Sequence, residues 1–326
     1  MASVGMLILI LDARTALAGA QDGIELCIKT VIPSLFPFFL LSSIIRNTFV
    51  GKPIKVLRPL GKMCSIPEGA ESLLLLGMVG GYPVGAQGIH DAYESGALTK
   101  SDAQRMLGFC NNAGPAFIFG MIGSLFSSAL TLWVLWGIHI LSALVVGMLL
   151  APKNIGQCHL KECAYKPIAQ TVESSIKTTA NVCGWVIVFR VVVAFCQHWF
   201  FWLLPIQLQA ALVGVLELSN GCYTLQGISA QGTRFVLCAA TLAFGGICVA
   251  MQTVSVTKGL GTGMYFPGKT LQAVISFLLA ETAQLFLFKQ EERCPIPAIA
   301  FVLALSAGAA TLFMINRKKK ALAILC

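Results

Sequence analysis

Four apolar stretches of this chain are interrupted near their middles by Gly, Pro or Asn. Residues 72–89 contain Gly80-Gly81-Tyr82-Pro83-Val84-Gly85-Ala86-Gln87, and residues 104–126 contain Cys110-Asn111-Asn112-Ala113-Gly114-Pro115. Residues 209–228 contain Glu217-Leu218-Ser219-Asn220-Gly221, and residues 233–256 contain Phe244-Gly245-Gly246. Such interruptions free backbone N–H and C=O groups, and lipid offers those groups no partner. Composition makes lipid the relevant solvent. Of 326 residues, 56% are hydrophobic and only 11% charged, against roughly 25% charged in soluble globular proteins. That supply cannot cover a soluble surface, which excludes an ordinary soluble enzyme, a disordered chain and a nucleic-acid-binding domain. The interruptions must therefore be buried in protein or face a polar cavity.

A crossing needs about 20 apolar residues. Candidates fall at 31–47, 104–126, 129–150, 182–204, 233–256, 267–288 and 296–316. The stretches 72–89 and 209–228 break into halves too short to cross, so they read as re-entrant hairpins with tips at membrane depth. Spans 104–126 and 233–256 read as broken helices. The order span, hairpin, broken span, span runs to residue 150 and recurs from residue 169. Gln87-Gly88-Ile89 and Gln226-Gly227-Ile228 occupy matching places in the two hairpins. Thr99 with Asp102 makes a capping box before the first broken span. Residues 1–30 read as a short helix lying in or on the membrane. Ala16-Leu17-Ala18 mimics a signal-cleavage site, but Asp12 and Arg14 interrupt the apolar run before it.

The chain carries 23 Lys and Arg against 14 Asp and Glu, a net charge of +9. Loops rich in Lys and Arg stay in the cytoplasm. With Arg317-Lys318-Lys319-Lys320 inside, the loops 46–70, 151–168 and 257–269 also fall inside. Lys100, Arg105 and Lys177 lie on that side too. Only Arg14, Lys29, Arg190, Arg234, Lys289 and Arg293 fall elsewhere. The charge marks topology and implies no nucleic-acid partner. It also makes the two halves inverted copies. The expected architecture is an all-α polytopic protein of a cell membrane. It is an inverted repeat with two re-entrant helical hairpins, two broken transmembrane helices and about seven full spans. Residues 1–150 form the first repeat with its N-terminal helix. Residues 151–168 form a cytoplasmic basic loop, 169–290 the second repeat, and 291–326 a further transmembrane helix with a cytoplasmic basic tail.

Unwound backbone and half-helix ends present N–H and C=O dipoles at the membrane midplane, where they bind a polar solute or an ion. The candidate binding set is Gly81, Tyr82, Pro83, Gly85, Gln87, Asn111, Asn112, Glu217, Ser219, Asn220, Gly245, Gly246 and Gln252. One break alone reads as a tight turn or a packing surface of small residues. Four breaks at corresponding places favour a central polar site. Glu217 is the most informative residue, because a carboxylate at membrane depth is costly unless paired or hydrated. It suits a coupling Na+ or H+, or a solute that donates hydrogen bonds. The structural alternative is a salt bridge to Arg190. Arg190 and Glu281, both mid-span, read as a structural ion pair.

Nothing in the chain supplies a nucleophile with a base, so it reads as no enzyme. Gly263 to Thr270 fits G-x-x-x-x-G-K-[ST], but that loop cradles phosphates only between a strand and a helix. Lys269 reads instead as an inside-facing anchor. The four histidines are scattered and most of the 12 cysteines sit in apolar runs. Cys158-His159 with Cys163 lacks the second ligand pair of a metal site. No cofactor is expected beyond the coupling ion.

Three motifs carry a family resemblance: Pro33-Ser-Leu-Phe-Pro-Phe-Phe39, Gly81-Tyr-Pro-Val-Gly-Ala86 and Phe109-Cys-Asn-Asn-Ala-Gly-Pro-Ala-Phe-Ile-Phe-Gly120. They closely resemble the YlbJ-type sporulation integral membrane proteins of endospore-forming bacteria. Glu217-Leu-Ser-Asn-Gly221 and Phe244-Gly-Gly246 extend the resemblance into the second half. The family carries a nucleoside-recognition, or gate, domain and is distantly similar to the core of concentrative nucleoside transporters. The resemblance implies a role in spore development at the membrane of the developing spore. In those transporters, polar residues with carboxylates on both hairpin tips surround the solute. Here the first tip has no carboxylate, and Gln87 and Glu217 are the residues that match. The scaffold helices around such a core are largely missing, which implies a homo-oligomer.

The expected function is that of a secondary-transporter-like protein moving or binding a small polar solute, nucleoside-like or another metabolite. The alternative is a non-transporting scaffold or gate module of a spore-envelope assembly.

Overall fold

The computed structural model describes residues 2–49, 54–152 and 167–288. Every regular element among them is helical. The expected crossing at 296–316 and the basic tail lie outside the described residues, as does the Cys158-His159 segment.

Helices α1 (Ala2–Leu11) and α2 (Ala13–Leu26) lead into a π-helical turn at Cys27–Val31 and then α3 (Ile32–Phe49). Residues Ala13–Ile44 form one helical run long and apolar enough to cross a membrane. The run therefore begins inside the segment expected to be a separate surface helix. The π-turn has a local cause. Pro33 has no N–H to offer the preceding turn, and the Ile32 N–H bonds instead to the Cys27 carbonyl.

After α4 (Arg58–Met63), helices α5 (Glu71–Val79) and α6 (Val84–Glu94) fold back on one another about residues 80–83. Neither is long enough to cross alone. Helix α7 (Lys100–Met106) starts at Thr99, whose hydroxyl accepts the Asp102 N–H at 3.1 Å, as the capping box requires. The stretch 104–126 is not one helix. It unwinds after Met106 and resumes only as a π-turn at Ala116–Met121 and a 3-10 turn at Ile122–Leu125. Helix α8 (Ala129–Leu149) then crosses.

The second half opens with α9 (Ile168–Trp199), which starts well before the expected residue 182. A second hairpin follows, from α10 (Ile206–Leu216) and α11 (Leu218–Thr224). Helices α12 (Gln231–Phe244) and α13 (Gly246–Val256) lie in line and part at Gly245, and α14 (Tyr265–Leu287) closes the described chain. Among the described residues, five helical runs are long and apolar enough to cross: 13–44, 129–149, 168–199, 231–256 and 265–287. Large apolar side chains face outward on these runs, among them Leu130, Trp133, Val188 and Leu278. The run 231–256 is the exception, with most of its most apolar stretch buried inside protein.

Glycines set how closely the hairpins approach the breaks. A Cβ on Gly77 would lie 1.9 Å from the Cys110 carbonyl oxygen, and one on Gly85 2.1 Å from it. The two arms of the first hairpin thus close on the backbone of the first break. In the second hairpin a Cβ on Gly221 would lie 2.2 Å from Gly214 Cα, while one on Gly246 would lie 2.9 Å from the Gly214 carbonyl oxygen. Gly77→Ala or Gly85→Ala should cost about 3 kcal/mol or more, since backbone must move to admit the methyl. Gly137 and Gly184 have no neighbour within 4 Å of a built Cβ, so Ala there should be neutral or mildly stabilising. Thermal unfolding of the purified variants in detergent checks the contrast.

Candidate functional site

The two helix breaks leave backbone groups that other elements satisfy. At the first break the Asn112 N–H bonds to the Gly77 carbonyl at 3.1 Å, and the Ala113 N–H bonds to His139 Nε2 at 3.0 Å. The Asn111 carbonyl accepts from Lys269 Nζ at 2.8 Å. Asn111 itself ties the first hairpin to α13. Its Oδ1 accepts the Ala86 N–H at 3.3 Å, and its Nδ2 donates to Thr253 Oγ1 at 3.0 Å. At the second break Gly245 takes a left-handed conformation, φ 79°, which glycine reaches without Cβ strain. The Leu242 carbonyl, freed there, accepts the Tyr82 hydroxyl at 3.2 Å. Tyr82 belongs to the tip of the first hairpin, so each break has a partner from the other half of the chain, Lys269 at the first and Tyr82 at the second.

Lys269 is buried, at 1% exposure. It does not sit at an inside surface as an anchor. The P-loop-like spelling around it has no strand beside it, and α14 begins at Tyr265, so the Lys enters the protein on the second turn of a helix. Nζ donates to the Asn111 carbonyl, to Asn112 Oδ1 at 3.1 Å and to Gln272 Oε1 at 2.7 Å. It also lies 5.1 Å from the centre of the Tyr82 ring.

Glu217 is 2% exposed at the tip of the second hairpin. Its carboxylate caps α11, accepting the backbone N–H of Ser219 at 2.9 Å and of Asn220 at 2.6 Å, and Asn220 Nδ2 at 2.7 Å. It makes no direct bridge to Arg190. That guanidinium reaches Asn220 Oδ1 at 2.9 Å and the Asp22 carboxylate at 2.8 Å. The expected Arg190–Glu281 pair does not form. Helix α9 packs against α2 and α3, which brings Asp22 to Arg190, while Glu281 on α14 accepts from Gln284 one turn away. Gly19 and Gly23 of α2 allow this, because a Cβ at either would lie about 3 Å from α9 atoms.

One cavity collects the two hairpin tips and the first break. It is lined by Gly81 and Tyr82 of the first hairpin, Glu217, Leu218 and Ser219 of the second, Ala113 and Gly114 of the first break, and Val249 and Gln252 of α13. Thr30, Ser34, Val182 and Val186 close its sides. Its volume is about 50 Å3, room for a few waters at roughly 10–15 Å3 each. A second cavity of about 340 Å3 adjoins it, lined by Ser124, Cys222, Tyr223 and Gln226 among others. Thr30 and Met121, each on one of the π-helical turns, line both.

Of the candidate residues, Gly81, Tyr82, Glu217, Ser219 and Gln252 line this central cavity. Asn111, Asn112, Gly85, Gly245 and Gly246 lie behind it, in the packing of the breaks. Pro83 and Asn220 are not among the lining residues. Gln87 bonds sideways to Ser174 and Thr178 of α9. Gln272 and Thr30 went unread in the sequence, His139 was read only as a scattered histidine, and Lys269 was read as a surface anchor. The available signal was Lys269 with Gln272, a polar pair at i and i+3 in an otherwise apolar helix. Among the described residues no cluster of three His, Cys, Asp or Glu could hold a metal.

No protein-family model matches the chain, and no solved structure matches it. Among curated proteins it is similar to the sporulation integral membrane protein YlbJ of Bacillus subtilis (strain 168). The two are 26% identical over 210 residues, 55% of this chain and 51% of that protein. The chain thus spans about half the length of the curated relative it matches. That relationship supports the YlbJ-type assignment carried by the motifs.

The Glu217–Asn220–Arg190 chain of bonds gives a direct test. Asn220→Ala should destabilise the protein by roughly 1–3 kcal/mol, because it leaves a buried carboxylate short of a donor. In a Glu217→Gln background the same change should cost less, with a coupling of about 0.5–3 kcal/mol. Strict additivity in a double-mutant cycle of thermal unfolding would refute the linkage.

Proposed function

We propose that this membrane protein, related to a sporulation integral membrane protein, binds and moves a small polar solute. The observation that carries the proposal is the convergence of both hairpin tips, the first helix break and α13 on one cavity holding a buried carboxylate. Irregular backbone at membrane depth is tolerated where it lines such a cavity, and it supplies dipoles that take the place of a solute's water shell.

In this reading the two halves are inverted repeats, the nucleoside-recognition or gate architecture, with the C-terminal tail in the cytoplasm. Alternating access moves one hairpin against the other without ATP, and a homo-oligomer supplies the missing scaffold. No step makes or breaks a covalent bond. The central cavity as it stands admits only a few waters, while the adjoining chamber is larger. The conformation is then one with the central site closed and the chamber open beside it, with Thr30 and Met121 as the wall between them. Glu217 Oε1 and Oε2 are engaged by the α11 N-terminus. A solute with hydroxyl or amine donors, nucleoside-like or another metabolite, competes for those lone pairs when the tips part, or a coupling Na+ or H+ takes them.

Uptake into proteoliposomes, run over nucleosides, nucleobases, amino acids and other small polar metabolites, tests the proposal. Saturable uptake of at least one class is expected. Glu217→Gln should reduce it roughly tenfold or more, the effect of removing about 1.4 kcal/mol of interaction. Absence of saturable uptake for every class would remove the transport reading and leave the scaffold module.

A further inference from the structure

Lys269 sits in a cage that a free ion would fit. Its three bonds go to three oxygens: the Asn111 carbonyl, Asn112 Oδ1 and Gln272 Oε1. The amide orientations are fixed by other bonds. Asn112 Nδ2 donates to the Phe109 carbonyl at 2.7 Å, so its oxygen must face inward. Gln272 Nε2 donates to Asn112 Oδ1 at 2.9 Å and to the His139 carbonyl at 3.3 Å, which turns Gln272 Oε1 toward Lys269. Each of the three oxygens therefore acts as an acceptor toward Nζ. A neutral amine has two N–H groups and an ammonium has three. An ammonium can therefore serve all three oxygens at once, whereas a neutral amine can serve only two.

All three oxygens belong to neutral amides, and the Tyr82 ring presents its face from 5.1 Å. Rings of neutral carbonyl oxygens are how proteins replace the hydration shell of a monovalent alkali cation. A site for a divalent ion takes carboxylates. The N···O distances of 2.7–3.1 Å match the coordination of potassium, whose size is close to that of ammonium, better than that of the smaller sodium.

We propose that the first helix break is a monovalent-cation site whose occupant is covalently tethered: the Lys269 ammonium fills the place of a potassium-sized ion. The charge holds the carbonyl of Asn111 and the amide of Asn112 in place, and with them the packing of Gly77 and Gly85 on the break. This goes beyond the transport reading and holds whether or not a solute crosses. It predicts that the intact protein has no need of a free cation at this break, and that removing the tether creates that need.

The test is thermal unfolding of purified protein in detergent with chloride salts of choline, lithium, sodium, potassium and ammonium at equal ionic strength. The unaltered protein should melt no higher in potassium or ammonium than in choline, whatever sodium does at Glu217. Lys269→Ala should melt lower in choline. It should regain stability in potassium and ammonium, by roughly 5 °C at a hundredfold excess over Kd. Propylammonium, which fills the vacated side-chain channel as well, should do better still. Lys269→Met, which keeps the apolar volume without the charge, should show the same preference more weakly. The Lys269→Ala/Gln272→Ala pair, lacking one cage oxygen, should lose it. Equal melting of Lys269→Ala in all salts would overturn the proposal. So would a Lys269→Met variant as stable in choline as the unaltered chain. Failure of both variants to be recovered folded even in potassium and propylammonium would overturn it too, since a free cation must be able to replace the tether.

Discussion

Backbone polar groups freed inside a membrane have no water to turn to, and the arrangement of this protein follows from how those groups are satisfied. At the first break the Lys269 ammonium takes the Asn111 carbonyl, and Gly77 and His139 take the two following N–H groups. At the second, Tyr82 takes the Leu242 carbonyl. Each partner comes from a distant part of the chain, so the breaks are stable only in the assembled fold. That requirement puts the hairpin tips against the breaks and α14 against both. The central cavity is the space left where these elements meet.

The same requirement explains the distribution of small residues. A hairpin inserted from one side must bring its backbone within contact of a backbone it supports, and only glycine leaves room. Gly77 and Gly85 do this on Cys110, and Gly214 with Gly246 does it at the second break. Charge obeys a parallel rule. Glu217 is held by an N-cap and by Asn220, which Arg190 in turn orients, and Arg190 reaches Asp22 on the first span. Glu217, Arg190 and Asp22 are thus joined, through Asn220, in one connected set of bonds across α2, α9 and the second hairpin.

Hairpins and breaks were legible in the sequence because Gly, Pro and Asn inside apolar runs have few other physical explanations. Glu217 was legible for the same reason, as a carboxylate where lipid penalises one. The Thr99 cap was read from a three-residue spacing alone. Lys269 was misread because, along the chain, it stands a few residues from a loop, where a Lys normally faces water. Two of its three acceptors, on Asn111 and Asn112, lie 158 and 157 positions earlier, a proximity no local pattern encodes. The Arg190–Glu281 pairing failed on the same ground. Two mid-span charges of opposite sign invite pairing, but which helices are neighbours decides the partner, and α9 lies against the first span rather than against α14. The first span began earlier than expected because Asp12 and Arg14 were read as interrupting the apolar run. The helix simply starts there, with Asp12 as its cap accepting the Thr15 N–H.

The central claim is that paired tips and breaks close on one solute site. The most direct measurement is a density map of the protein in lipid nanodiscs, with and without a solute drawn from the uptake panel. The account predicts added density bounded by Tyr82, Glu217, Ser219 and Gln252, with the hairpin tips moved apart to admit it. Solute density found only elsewhere on the molecule, with this cavity unchanged and filled by water alone, would contradict it.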